Sequence, residues 1–175
     1  EEYNMKKALI IYESVHHYNT QKVVENISRK YKAKMEKASD AGEIKDLEQY
    51  EVFLFASGIY HGKPASSIIN FIENNKKILH NKKVLLLLTS GTNNKKYMYE
   101  FKKKLEDYDI KAEKDYQCLG YDTFGPWKLI GGIAKKHPNA DRLLVFKVKM
   151  GTEIRQIISG VASSFEPEDC VGQKV

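Results

Sequence analysis

Three short apolar runs constrain this chain more than any other feature. They are Lys7-Ala-Leu-Ile-Ile-Tyr12, Val52-Phe-Leu-Phe-Ala56 and Lys83-Val-Leu-Leu-Leu-Leu-Thr89. Each is long enough for a strand and too short for a buried helix. None approaches the roughly 20 residues that a membrane-spanning helix needs. Unbroken apolar strands arise where both faces of a sheet are covered, so helices are expected between them. The intervening sequence supplies them. Val23, Val24, Ile27 and Tyr31 recur at helical spacing over 20–31, Ile68, Ile69, Phe71 and Ile72 over 65–75, and Met98, Phe101 and Leu105 over 95–108. Weaker strand signals lie at Lys34 to Lys37 and Ala112 to Leu119. Strand–helix alternation of this kind predicts an α/β fold with a doubly wound, parallel sheet and right-handed crossovers.

In such sheets ligands bind beyond the carboxyl ends of the strands, where the strand order reverses. The loops leaving the three firm strands therefore form one candidate site. They are Glu13-Ser-Val-His-His-Tyr-Asn-Thr20, Ser57-Gly-Ile-Tyr-His-Gly-Lys63 and Ser90-Gly-Thr-Asn-Asn94. All three are rich in hydroxyls, Gly or Asn, and all three lead into a helix. The first ends where a helix begins, so free backbone N–H groups and the helix dipole favour an anion. Ser14, Asn19 and Thr20 add side-chain donors.

Plainer readings compete residue by residue. Asn19 or Thr20 is also suited to cap a helix, Gly58 and Gly62 to turns, and His16, His17 and Tyr60 to an exposed surface. The common character of three neighbouring strand ends favours the binding reading. Other site types fit less well. The chain has no G-x-G-x-x-G after its first strand, no G-x-x-x-x-G-K-[ST] and no G-x-S-x-G. Glu13 stands alone where a phospho-receiver would pair aspartates, and the histidines lack the Cys or Glu neighbours of a metal site.

Charge points to protein rather than nucleic-acid partners. The net charge is +6, and 26 of the 29 basic residues are Lys, whereas nucleic-acid sites favour Arg with interleaved aromatics. The excess lies wholly within residues 1–140; residues 141–175 are neutral. Acidic partners are the expectation. The first residues carry no charged-then-apolar signal segment. The two cysteines, Cys118 and Cys170, match no disulfide framework, which suggests a reduced, cytoplasmic setting.

The loop residues also carry a resemblance. Ala8-Leu-Ile-Ile-Tyr-Glu-Ser-Val-His-His-Tyr-Asn-Thr20 resembles the first strand and phosphate loop of the flavodoxin family. It is closest to small flavodoxin-domain proteins whose loop reads Ser-x-His-His-Gly-Asn-Thr. Ser57 to Lys63 is similar to the family's second flavin loop, Thr89 to Thr92 to its third, and Gly120 to Gly132 to a segment after its fifth strand.

The resemblance spans about 7–139 and implies a flavodoxin-like fold with five parallel strands and an FMN site. Ser14, His16, His17, Tyr18, Asn19 and Thr20 would hold the phosphate. Ser57, Gly58, Ile59 and Tyr60, followed by Gly62 and Lys63, would border the isoalloxazine ring, with Tyr60 stacking on it or shielding it. A flexible turn at Gly58 would tune the potential. Thr89, Ser90, Gly91 and Thr92 would line the pyrimidine edge. The implied activity is electron transfer, as a carrier or a small oxidoreductase.

Two departures stand out. Tyr18 occupies a position that is usually Gly, and FMN affinity would suffer if that position needs a positive φ or close backbone approach. The family's last amphipathic helix is also missing. In its place, His137 to Gly151 and Arg155 to Gly160 resemble the start of the tRNA-binding, OB-type domain of methionyl-tRNA synthetases. The expected division is a flavodoxin-like domain at 1–139 and an appendage at 140–175. The alternative function is a protein- or tRNA-binding module with weakened FMN affinity. Two local readings of the appendage remain open. Leu143 to Lys149 alternates as a hairpin strand would, while Ile154, Ile157, Ile158, Val161 and Phe165 fall at helical spacing after Thr152.

Overall fold

The computed structural model describes residues 8–41 and 44–120 in full and the backbone of 142–150 and 153–161. The Gly120–Gly132 motif beyond Gly120, the His137-Pro-Asn139 seam, Thr152 and Phe165 lie outside the described residues.

The three apolar runs are the centre of the sheet. Strand β1 (Ala8–Glu13) is followed by helix α1 (Asn19–Tyr31) and strand β2 (Lys34–Lys37). Next come β3 (Val52–Tyr60), the two-residue β4 (Lys63–Pro64), helices α2 (Ser66–Asn74) and α3 (Lys76–Leu79), and β5 (Lys83–Ser90). Helix α4 (Lys96–Glu106) and β6 (Ala112–Leu119) complete this part. The parallel strands run in the order β2-β1-β3-β5-β6, with β4 folded back antiparallel onto β3. This is the flavodoxin-like doubly wound order, whose switch point lies between β1 and β3.

Alternation along each strand sorts the core into two layers. Leu9, Ile11, Phe53, Phe55, Leu86 and Leu88 face Ile68, Phe71, Ile72, Leu79, Met98, Phe101 and Leu105 of α2, α3 and α4. Ile10, Tyr12, Leu54, Ala56, Leu85 and Leu87 pack with Val23, Val24 and Ile27 of α1. The period-2 pattern of the strands and the 3.6-period stripes of the helices are thus satisfied together.

The second firm strand runs further than its apolar residues suggest. Ser57 to Tyr60 belongs to β3 and not to a loop, pairing Ser57 with Leu88 and Gly58 with Thr89. Only His61 and Gly62 turn the chain, both with positive φ (51° and 80°). Positive φ at both central residues is the pattern of a tight two-residue hairpin. The flexible Gly58 turn is therefore corrected: Gly58 is a strand residue.

The appendage contains a hairpin, β7 (Arg142–Met150) paired antiparallel with β8 (Glu153–Val161), in register from Arg142↔Val161 to Met150↔Glu153. Residues 154–161 are strand, so the helical alternative is overturned there. Helical spacing of Ile154, Ile157, Ile158 and Val161 lost to cross-strand pairing with the alternating partner segment. Strand β8 runs alongside α1.

Candidate functional site

At the carboxyl end of the sheet the β1–α1 loop, the β3–β4 turn and the loop after β5 enclose a cleft of about 260 Å3. It is lined by His16, Asn19, Thr20, Gly58, Ile59, Tyr60, His61, Gly62, Thr89, Ser90, Gly91, Thr92 and Tyr97. Most of the expected residues therefore converge. His61 and Tyr97 are the two additions. Tyr97 sits in the first turn of α4, where its helical position gave no sign that it would reach back to the cleft.

The β1–α1 loop owes its shape to two consecutive left-handed residues, His17 and Tyr18, each at φ 54°. Tyr18 is the N-cap, its side chain accepts no capping hydrogen bond, and the first turn of α1 holds no acidic residue. Asn19 and Thr20 lie inside the helix and do not cap it. Thr20 is 1% exposed, and its Oγ1 lies 2.9 Å from Oγ1 of Thr89 across the sheet. With no acidic residue in the first turn and no side-chain cap from Tyr18, the positive dipole end of α1 favours an anion. Ser14, in the same loop, does not line the cleft; it is buried, and its Oγ has no hydrogen-bond partner among the described residues. An orphaned buried hydroxyl costs stability unless something binds it. An uncapped helix start, an orphaned hydroxyl and two left-handed residues together make a cradle that fits a phosphate group.

Tyr18 does take the positive φ that would favour Gly, yet its ring is 62% exposed and it does not line the cleft. The backbone shape is kept and the ring is turned to solvent. His17 and Lys63 also stand outside the lining, Lys63 exposed at the rim.

Tyr60 folds back over Gly58. A Cβ at Gly58 would lie 2.6 Å from the Tyr60 hydroxyl and 2.8 Å from Cζ. Gly58 is required by this close approach, not by a turn. The Tyr60 hydroxyl accepts a hydrogen bond from Val15 N–H at 2.8 Å, and its ring centroid lies 5.6 Å from that of His16. Burial raises the Tyr60 phenol above its ordinary value, the Val15 N–H opposes this, and the Glu13 carboxylate adds to it. The ring is thus a neutral, half-buried aromatic wall.

Ser57 is withdrawn from the site. It is fully buried; its Oγ donates to Gly58 O at 2.7 Å and accepts from Ala65 N–H at 2.8 Å, which ties β3 to the start of α2. Ser90 stays in the lining, its Oγ donating to Thr92 O at 2.6 Å and accepting from Gln117 Nε2 at 3.2 Å. Glu13, at the end of β1, is buried and held by Ser39 N–H, Ser67 Oγ and Lys37 Nζ at 3.1, 2.8 and 3.7 Å.

A doubly wound parallel sheet in the order β2-β1-β3-β5-β6, with an aromatic-walled cleft at its switch point, defines a flavodoxin-type fold. Residues 9–120 match the Flavodoxin domain family, and the chain belongs to that family. Residues 132–175 match a tRNA binding domain family. An uncharacterized protein of Methanocaldococcus jannaschii is 37% identical over 137 residues, covering 77% of this chain and 89% of that protein. The methionine–tRNA ligase of Flavobacterium psychrophilum is 44% identical over 68 residues, covering 37% of this chain but only 10% of the ligase. Among solved structures, a flavoprotein in complex with FMN from Lactobacillus acidophilus superposes with a TM-score of 0.53 at 21% identity. That match covers 64% of this chain and 93% of that one. Two-electron reduced Megasphaera elsdenii flavodoxin gives 0.54 at 18% identity, covering 63% and 85%. These structural likenesses concern the fold.

Proposed function

We propose that the cleft binds FMN and that the chain acts in electron transfer, as a carrier or a small oxidoreductase. The observation that carries this reading is the buried Ser14 hydroxyl, unpartnered among the described residues, in the loop that leads into a helix whose N-cap makes no side-chain cap. A phosphate would satisfy both. Bound FMN supplies one- or two-electron exchange at its ring. The residues of the chain bind and orient it. Ser14, Asn19 and Thr20, with the α1 N–H groups, hold the phosphate, Tyr60 walls the ring, and Thr89 to Thr92 meet its polar edge. No side chain is assigned as general acid or base, because electron exchange requires none.

The visible spectrum of the purified protein tests this. Flavin bands, or quenching of FMN fluorescence on titration, are expected. A colourless protein that leaves added FMN unchanged would sink the proposal. We place the protein in the cytoplasm with acidic redox partners; the free, buried thiol of Cys118 is in keeping with a reducing compartment. No helix among the described residues is long and apolar enough to cross a membrane.

The match of 132–175 to a tRNA binding domain favours a second reading, in which the chain also contacts tRNA. Retardation of tRNA that weakens steeply with added salt would support it, since phosphate contacts release counterions.

A further inference from the structure

One rim of the cleft concentrates positive charge that the fold does not use. Lys63 opens β4, which pairs back onto Tyr60 and packs beside α4. Lys95 and Lys96 stand at the start of α4, directly before Tyr97 of the cleft lining. All three lysines are exposed. Some lysines elsewhere are paired, as Lys37 is with Glu13, Lys83 with Glu113 and Lys102 with Asp115. Among the described residues none of the three rim lysines has an ion pair, and Glu100, one turn along from Lys96, makes none either.

Their placement opposes local stability. Two adjacent cations at a helix amino end repel the positive end of the dipole, where Asp or Glu would be favoured. The helix start is instead held by Asn94, whose Oδ1 accepts from Lys96 N–H at 3.0 Å. Exposed apolar surface lies alongside: Tyr99, one turn from Lys95, is 64% exposed, and Val15 and Tyr18 flank the β1–α1 lip at 61% and 62%. Aromatic surface bordered by charge is the make-up of a protein interface. Lysine ammonium groups are compact, strongly hydrated point charges that pair with carboxylates without a fixed bidentate geometry.

We propose that Lys63, Lys95 and Lys96, with Tyr99, form the docking surface for an acidic redox protein, seating that partner's redox centre over the cleft. This rests on the flavin reading above. Complementary charge would speed encounter and make it sensitive to salt.

The test is zero-length carbodiimide cross-linking of the full chain to an acidic plant-type [2Fe–2S] ferredoxin, with the coupled lysines located by mass spectrometry. Coupling at Lys63, Lys95 and Lys96 that fades with added salt is expected. The K63Q/K95Q/K96Q variant should lose roughly tenfold in yield. A charge-matched K30Q/K103Q/K111Q variant, altered at the opposite end of the sheet, should keep its yield. Equal yields from the two variants, or cross-links spread over the surface, would overturn the proposal. So would labelled single-stranded RNA that binds through the rim lysines and displaces the ferredoxin. Rim cross-links in a preparation that takes up no FMN would keep the surface while the flavin reading fails. FMN uptake without rim cross-links would do the reverse.

Discussion

The Tyr60 hydroxyl and the Val15 backbone N–H, 2.8 Å apart, join the end of β3 to the loop that follows β1. The bond spans the cleft at the switch point between the two strands. It also occupies a backbone donor in the loop proposed to hold a phosphate. Removing the hydroxyl should therefore act on stability and on binding in opposite directions. Tyr60→Phe is expected to lower the stability of the ligand-free protein by about 1 kcal/mol, the worth of one hydrogen bond. It should also raise FMN affinity by freeing the donor. Urea unfolding and fluorescence titration measure the two effects; lower affinity would show that the bond supports the bound state.

Ser14 carries a second trade-off. Its buried Oγ has no partner, so Ser14→Ala removes an unsatisfied polar group. The ligand-free variant should be as stable as the parent or up to about 1 kcal/mol more stable. FMN affinity should fall roughly tenfold, the loss of one hydrogen bond to a charged group. A variant that is less stable and binds FMN equally well would remove Ser14 from the site.

At Tyr18 the left-handed backbone costs a non-glycine residue about 1–2 kcal/mol, partly offset by the greater freedom that Gly gives the unfolded chain. Tyr18→Gly should thus stabilise the fold slightly. Because the ring faces solvent, FMN affinity should be unchanged. A roughly tenfold gain in affinity would show instead that the ring obstructs the phosphate loop.

Burial pushes the Cys118 thiol from 9.0 up to about 12. At neutral pH it should resist alkylation until the protein unfolds, since the thiolate is the reactive form. The sign of the linkage is fixed by the raised value. Above pH 9 the unfolded chain releases this proton while the folded chain retains it, so stability falls as pH rises from 9 towards 12. Urea midpoints across that range should drop, and Cys118→Ala should flatten the drop.

The parallel sheet was legible in the order of the amino acids. Val52 to Ala56 and Val84 to Leu88 are apolar without interruption, a pattern that only a strand covered on both faces can bury, and the helical stripes between them leave one way to do it. The phosphate loop was legible for a similar local reason, since Ser14 to Thr20 lies between a strand end and a helix start. Other features depended on partners distant in sequence. Ser57 to Tyr60 looks like a loop because it is polar and contains Gly, yet pairing of Ser57 and Gly58 with β5, and of Ile59 and Tyr60 with β4, keeps it in β3. Tyr60 requires Gly58 through space, Ser57 Oγ accepts from Ala65 N–H and does not line the cleft, and Tyr97 of α4 joins the site. Residues 154–161 fit a helix and a strand equally well until the register with 142–149 chooses the strand. Local patterns specify elements because backbone geometry repeats over a few residues. A site is assembled from side chains that loop closure brings together, and no local period records which of them will meet.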